Sequence, residues 1–463
     1  VVKAYLLIDF GSTYTKLTAV DLENEEIIAT AKDITTVETD IMIGFNKAYK
    51  ELMGKIKDKN VDFIKKLACS SAAGGLKMIA IGLVPDLTAE AAKRAALGAG
   101  ARVLKTYSYD LSLREIEEIK NSKLDIILLA GGTDGGNKEC ILHNATMLAE
   151  HGVDLPIVVA GNKSAADEVE AIFKQKNMYY KITDNVMPKL NQLNVEPARE
   201  VIRQIFMEKI IEAKGMNSAE SYISGILMPT PAAVLKGAQV LGQGSDKEEG
   251  LGDIVVVDIG GATTDVHSLC DGEPSKAGVT LRGLQEPFAK RTVEGDLGMR
   301  YSALSLWEAS GTRKLQKYLK DKTVNVEEQC RYRANHIELV PSSTEEKAFD
   351  EAMAKVATDL AIERHAGVVE SLYSPLGVIF TQVGKDLLKT KYFIGTGGVL
   401  VHSENPGEIL KAGCFDLENP TSLKPEQPVF LLDKTYILSS MGLLAEDYPD
   451  TAVRIMKKYL VKV

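Results

Sequence analysis

The chain has 463 residues, 45% of them hydrophobic and 26% charged, with 55 Lys and Arg against 64 Asp and Glu for a net charge of −9. That length accommodates about two to four domains with cores of their own, and the acidic balance argues against nucleic acid, which wants a basic face. No apolar run approaches the ~18 residues of a spanning helix, no charged-then-apolar leader precedes the first strand, and the five dispersed cysteines, without CxxC spacing, fit thiols buried in a reducing compartment, so a cytoplasmic protein with neither membrane nor nucleic acid as partner is expected.

The first element is a strand, turn and strand over 6–21. Leu6–Ile8 form an apolar run, Asp9 follows, Gly11 permits a tight turn, and Leu17, Ala19 and Val20 resume β-type residues. The turn offers the hydroxyls of Ser12, Thr13 and Thr15, backbone N–H groups freed by Gly11, and Lys16. Such a concave set of donors suits a phosphate, and the carboxylate at its rim suits a hydrated metal ion.

A separate doubly wound domain is expected next. Strands are predicted over 76–84, 101–109, 124–132, 156–162 and 178–186. Helices are predicted over 88–98 with Thr88 as N-cap, over 111–122, through Asn144 and Leu148, and over 163–173. Alternation of this kind implies right-handed crossovers and a parallel sheet. The loop Gly131–Glu139 follows a strand, where ligands bind in such sheets, and either cradles an anion or turns sharply.

Further along, Met228–Gly242 reads as a helix with a Pro-Thr start and small residues that let a second helix cross closely. Ile254–Val257, Asp258, Gly260, Gly261, Thr263, Thr264 and Val266 repeat the first strand and turn, with Asp265 beside them. His267, on the strand after that turn, is expected to be half-buried. Glu294, Gly295 and Asp296 open a second glycine-rich turn flanked by Arg291 and Arg300, which reach phosphates or carboxylates or lie exposed on the surface. Gly395, Thr396, Gly397 and Gly398 close another β-run, and 436–445 is a short helix of small and apolar residues.

Taken in this order, the segments resemble the motif set of the actin, sugar-kinase and heat-shock-chaperone ATPase superfamily: two phosphate loops at Asp9 and Asp258, crossing helices at 228–242 and 436–445, and an adenosine loop at Gly395–Gly398. The resemblance covers nearly the whole chain. It implies an α/β protein of two actin-like ATPase lobes that clamp ATP and Mg²⁺. Asp9, Asp258 and Asp265 are its candidate catalytic carboxylates, with Asp9 and Asp258 holding the metal through water. The nucleotide-binding set is Gly11, Ser12, Thr13, Thr15, Lys16, Gly260, Gly261, Thr263, Thr264, Glu294, Gly295, Asp296, Gly395, Thr396, Gly397 and Gly398. Where the heat-shock relatives have an acidic residue before the Pro-Thr, this chain has Met228, which implies slow hydrolysis.

The expected domains are 1–65 as the first part of lobe I, 66–190 as an inserted flavodoxin-like domain, 191–245 as the end of lobe I, and 246–463 as lobe II. The insert resembles the cobalamin-binding domain of adenosylcobalamin-dependent mutases, but Leu83–Thr88 lacks that domain's cobalt-ligating histidine; a phosphate-binding or merely structural insert stays open. Lobes and insert together resemble the MutL-type accessory proteins of the adenosylcobalamin-dependent glutamate mutase system. Such a resemblance implies a chaperone-like factor that assembles or reactivates a mutase, with mutase subunits as partners and homo-oligomerisation left open. A small-molecule kinase, an ATP-dependent amidohydrolase of the hydantoinase and oxoprolinase type, whose loop Asp258–Val266 also resembles, and a filament-forming actin relative remain as alternatives.

Overall fold

The computed structural model describes residues 1–11, 13–36, 40–71, 76–210, 223–375 and 377–463. The chain divides into two compact units, Val1–Gly237 with Leu438–Ile455 and Ala238–Ile437 with Met456–Val463.

The first unit starts with β1 (Val2–Phe10), β2 (Tyr14–Asp21), β3 (Glu26–Ile34) and β4 (Val61–Ser70). β1 pairs antiparallel with β2 and parallel with β4. Flanked on both edges and covered on both faces, it is buried continuously from Ala4 to Phe10, which is why its sequence reads as an unbroken apolar run rather than an alternation. The helix Ile41–Lys55 makes the crossover from β3 to β4. Asp40 caps it by accepting from the Met42 N–H at 2.9 Å, and Phe45, Ala48 and Leu52 form its buried stripe.

The chain then leaves this sheet and builds a second from β5 (Leu76–Gly82), β6 (Ala101–Ser108), β7 (Ile126–Leu129), β8 (Ile157–Val159) and β9 (Tyr180–Ile182). Its order is β6-β5-β7-β8-β9 with every pair parallel, the flavodoxin-like order. The intervening helices are Glu90–Gly98, Leu113–Asn121, Glu139–Glu150 and Ala166–Gln175. Ile79, Ile127, Leu129, Leu148 and Phe173 lie in its core, and a capping box between Ser112 and Glu115 starts the second helix. Thr88 does not cap the first. Helical turns begin earlier, in the wide turn Pro85–Ala89, and the Thr88 hydroxyl instead accepts from the Leu83 and Val84 N–H groups at 2.8 and 3.1 Å. Pro85 supplies the preset φ that lets the turn begin there.

With β10 (Ile226–Pro229) the chain returns to complete the first sheet in the order β10-β4-β1-β2-β3. The second unit repeats that plan. β11 (Ile254–Ile259), β12 (Thr264–Leu269), β13 (Val279–Leu281), β14 (Ala289–Glu294), β15 (Val368–Ser374), β16 (Gly377–Val383), β17 (Tyr392–Thr396), β18 (Val429–Leu432) and β19 (Val461–Lys462) give a main sheet of order β14-β12-β11-β17-β18-β19 and a side sheet β13-β16-β15. In each main sheet an antiparallel trio continues into two parallel strands: β3-β2-β1 with β4 and β10, then β14-β12-β11 with β17 and β18. The protein is therefore mixed α/β with two units of like topology. Its second core gathers Val255, Val257, Leu306, Met353 and Phe393 around the long helix Thr344–His365.

His267 is fully buried, not half-buried. It sits on β12 between β11 and β14, and an inner strand of a covered sheet exposes neither face.

Candidate functional site

The two acidic glycine turns have the same geometry. At the end of β1, the Gly11 N–H donates to the Tyr14 carbonyl at 3.1 Å; at the end of β11, the Gly260 N–H donates to the Thr263 carbonyl at 2.9 Å. A Cβ on Gly11 would lie 2.6 Å from the Tyr14 oxygen, so only glycine closes the first turn this tightly. Equivalent positions follow residue by residue: Asp9 with Asp258, Thr15 with Thr264, Lys16 with Asp265. In both hairpins the residue at the seventh position after the acid pairs across to it, Asp9 with Lys16 and Asp258 with Asp265.

Within the first turn, Asp9 is 4% exposed. Its Oδ1 accepts from Thr230 Oγ1 at 2.7 Å and its Oδ2 from Ser439 Oγ at 3.2 Å. Cys69 Sγ lies 3.6 Å from Oδ1, and burial, followed by the charge on Asp9, pushes that thiol well above the ordinary cysteine range. Thr13 is exposed and Lys16 half-buried, whereas Thr15 turns inward to Thr35, hydroxyl to hydroxyl at 3.0 Å. Ser12 lies outside the described residues.

In the second turn Asp258 is half-buried and faces the glycines after β17. The register pairs Asp258 with Thr396, and a Cβ on Gly397, whose φ is +105°, would lie 2.4 Å from the Ile259 oxygen and 3.0 Å from Asp258 Oδ1. A Cβ on Gly395 would lie 2.9 Å from Leu400 and from Leu410, while one on Gly398 would meet the Tyr436 hydroxyl only at 4.0 Å. Gly261 and Thr263 are partly exposed. Thr264, like its counterpart Thr15, is buried, and its hydroxyl donates to the Leu297 carbonyl at 2.5 Å.

The turn 294–298 packs directly on this loop. The Met299 and Arg300 N–H groups donate to the Gly260 and Gly261 carbonyls at 3.0 and 2.8 Å, Gly298 leaves no room for a side chain against Ala262, and Ser302 Oγ bridges the carbonyls of Ala262 and Gly295. Glu294 and Asp296 both accept from Arg364, at 2.7 Å from Nη1 in each case, and this guanidinium holds the Asp296 carboxyl below its usual range. Asp265 is likewise neutralised: Arg291 Nε and Nη2 reach its Oδ1 at 2.9 and 2.6 Å. Arg300 donates to Asp350 at 2.7 Å, and Asp350 also accepts from Arg333, which is wholly buried. Arg291 and Arg300 thus bind carboxylates rather than lying exposed, because Arg291 lies on β14 within the sheet and Arg300 follows the turn packed on the glycine loop.

Two imidazoles are buried at β12: His267 on the strand itself and His365 against it. His365 accepts or donates at both nitrogens, to Thr292 and Ser268, each at 2.7 Å, while His267 Nδ1 has no hydrogen-bond partner among the described residues. Burial pushes His267 down to about 3 and His365 well below the usual histidine value.

Each crossing helix starts directly after a strand of its sheet or the loop beyond it. Thr230–Gln243 follows β10, and Leu438–Leu444 follows the loop after β18. Thr230 and Ser439 are the contributors that motif reading alone did not single out. Only the Pro-Thr start of the first helix hinted at one of them.

In the inserted sheet, the loop after β7 is laced by side chains of its own domain. Asn162 accepts from the Gly135 N–H at 3.0 Å and donates to the Gly136 and Asn137 carbonyls, while Asn185 donates to Gly132 O and Asp134.

The family described as MutL protein matches residues 5–460 of this chain, and Protein MutL of Clostridium tetanomorphum is 76% identical over 460 residues, 99% of this chain and 100% of the relative. The chain belongs to the MutL family. Solved structures similar to this MutL-family chain include a gluconate kinase from Lactobacillus acidophilus, at 10% identity and TM-score 0.35 over 100% of this chain and 93% of that one. A glycerol kinase from Plasmodium falciparum, solved with ADP, has 12% identity and TM-score 0.36 over 99% and 92%. Scores this low do not define a fold; the strand orders of the MutL-family chain itself do.

Proposed function

We propose that this MutL-family protein is an ATP-binding, slowly hydrolysing chaperone-like factor that assembles or reactivates an adenosylcobalamin-dependent mutase such as glutamate mutase. The observation that carries the nucleotide half is the matched pair of acidic glycine turns, each ending the central strand of its sheet with a carboxylate at the rim. Among the described residues no three His, Cys, Asp or Glu side chains converge as a direct metal site. Mg²⁺ prefers to keep several waters and to bind through one or two carboxylates plus phosphates, and each turn by itself, with one carboxylate beside its donors, has the chemistry to hold a hydrated Mg²⁺ through water. ATP with Mg²⁺ supplies the phosphoryl group; the chain's residues position it.

Backbone N–H groups and hydroxyls of each glycine turn would orient phosphate oxygens, and the aspartate of each turn would hold metal-bound water. Phosphoryl transfer asks for little more than such positioning and charge neutralisation. The position before Pro229 is Met228, 2% exposed and apolar, so no carboxylate there orients an attacking water. Slow turnover follows, suited to timing a conformational step. The laced Gly131–Lys138 loop and the absence of histidine from Leu83–Thr88 favour a protein partner over cobalamin for the insert.

Calorimetric titration with ATP–Mg²⁺, followed by turnover assays with and without a purified mutase, tests the proposal. Turnover that rises with the mutase supports it. Turnover that rises instead with a small hydroxylated substrate or a cyclic amide, and ignores the mutase, overturns it in favour of a kinase or an amidohydrolase.

A further inference from the structure

Both oxygens of the Asp9 carboxylate are engaged by hydroxyls from two different helices: Thr230, the first residue of Thr230–Gln243, and Ser439, the second of Leu438–Leu444. The neighbouring Ser440 Oγ lies 3.2 Å from Thr18 Oγ1 on β2, a second tie to the same hairpin. These helices meet backbone to backbone. A Cβ on Gly442 would lie 1.9 Å from the Ala233 oxygen, and one on Gly237 would lie 2.3 Å from the Leu438 oxygen. Hydroxyls on helices usually return to their own backbone, as Thr358 does to Ala354 O and Thr146 to Leu142 O, both at 2.8 Å. Thr230 and Ser439 reach outward to one carboxylate instead.

The geometry points to Thr230 and Ser439 as positioning residues that tie the crossing of the two helices to the orientation of the Asp9 carboxylate, so that a shift at the crossing changes the activity of the first glycine turn. The catalytic half of this inference rests on the reading of Asp9 as organiser of hydrated Mg²⁺. With a donor on each oxygen, sliding either helix along the other lengthens at least one of the two bonds. A carboxylate freed at one oxygen rotates about its Cβ–Cγ bond. Water held on a metal there would lose its alignment, while the donors of the glycine turn would still hold phosphate.

Thr230→Val removes the hydroxyl and keeps the branched shape. The expected result is a kcat for ATP turnover lower by about tenfold, the order expected for one hydrogen bond to a charged group, with KM for ATP within about twofold. The Mg²⁺ concentration for half-maximal turnover rises severalfold, Thr230→Ser restores most of the loss, and Ser439→Ala gives a smaller loss of the same kind. Unchanged kcat in Thr230→Val, or a Thr230→Ser protein no better than the valine variant, overturns the catalytic role.

A second measurement needs no nucleotide. In urea unfolding of the full chain, Asp9→Asn and Thr230→Val together lower the folding equilibrium constant less than the product of their separate effects, by about fivefold or more. Independent effects overturn the tie itself. A wild-type chain that shows this coupling yet neither binds nor hydrolyses ATP overturns the nucleotide reading and supports the tie.

Discussion

Asp9 and Asp258 occupy equivalent places, but their surroundings differ. Asp9 is held by two hydroxyls, whereas Asp258 faces the backbone of the Gly397 turn. Replacing either by alanine removes a preorganised charge, so Mg²⁺-dependent ATP turnover is expected to fall by about a hundredfold or more in each variant; full turnover in both would rule out these turns as the phosphate sites. The buried imidazoles make a different prediction. Both are depressed in the folded state by burial, His267 to about 3, while the unfolded chain binds protons near the ordinary ~6.5. Their contribution is therefore intact above about pH 7 and is lost as pH falls below the unfolded value, by about 2 kcal/mol for His267 at pH 5. Urea unfolding at pH 7 and pH 5 checks this, and His267→Leu should flatten the dependence. The hydroxyls beside the acids show where residue-level reading stops. Thr15 and Thr264 both belong to a donor-rich turn in the sequence, yet the strand pleat directs both inward, to Thr35 and to Leu297 O.

Among the elements, the crossing of Thr230–Gln243 and Leu438–Leu444 is the most sensitive to side-chain volume. The room at Gly442 is already taken by the Ala233 carbonyl, and backbone cannot yield as a side chain can. Gly442→Val is expected to lower unfolding free energy by about 1–3 kcal/mol or more, with loss of ATP turnover because Asp9 is reached from both helices. Calorimetric melting and turnover measured on the same preparation check both; a wild-type Tm with wild-type turnover would refute close packing here. The inserted sheet depends as strongly on one polar side chain. Asn162, 1% exposed, bonds Gly135, Ser164, Gly136 and Asn137. Asn162→Ala removes four hydrogen bonds to the backbone of Gly135, Gly136, Asn137 and Ser164, residues that are themselves exposed, at about 0.5–1.5 kcal/mol for each bond that water does not replace. Hydrogen exchange should accelerate at Gly135 and Ser164 before it does in β7.

For the whole molecule, the proposed nucleotide function has to be reconciled with a flavodoxin-like sheet in the same chain. Its strand order is flavodoxin-like, and its loop after β7 is bonded by Asn162 and Asn185. Under the proposed function, a domain that mimics a mutase's small subunit and docks in its place would account for both. The intact protein is then expected to displace a labelled small subunit from the large catalytic subunit, followed by fluorescence anisotropy. Persistent binding of the small subunit at concentrations of this protein well above the subunits' own affinity would reject the mimicry.

Much of this architecture was legible in the sequence because covered parallel strands require unbroken apolar runs, and tight acidic turns require glycine at fixed offsets. β1, β11, β17 and the inner strands β5, β7 and β8 of the insert follow from those two demands; the edge strands β6 and β9 carry polar residues, and the crossing helices show in their small residues. The sequence also named the acids, the glycines and the Pro-Thr start. Tertiary structure decided where each polar group points: Arg364 onto Glu294 and Asp296, Arg291 onto Asp265, Thr230 and Ser439 onto Asp9. Those partners are separated by tens to hundreds of residues. Local propensity and spacing specify backbone over a few turns, whereas a long-range charge or hydroxyl contact exists only once the sheets and helices have brought its two ends together.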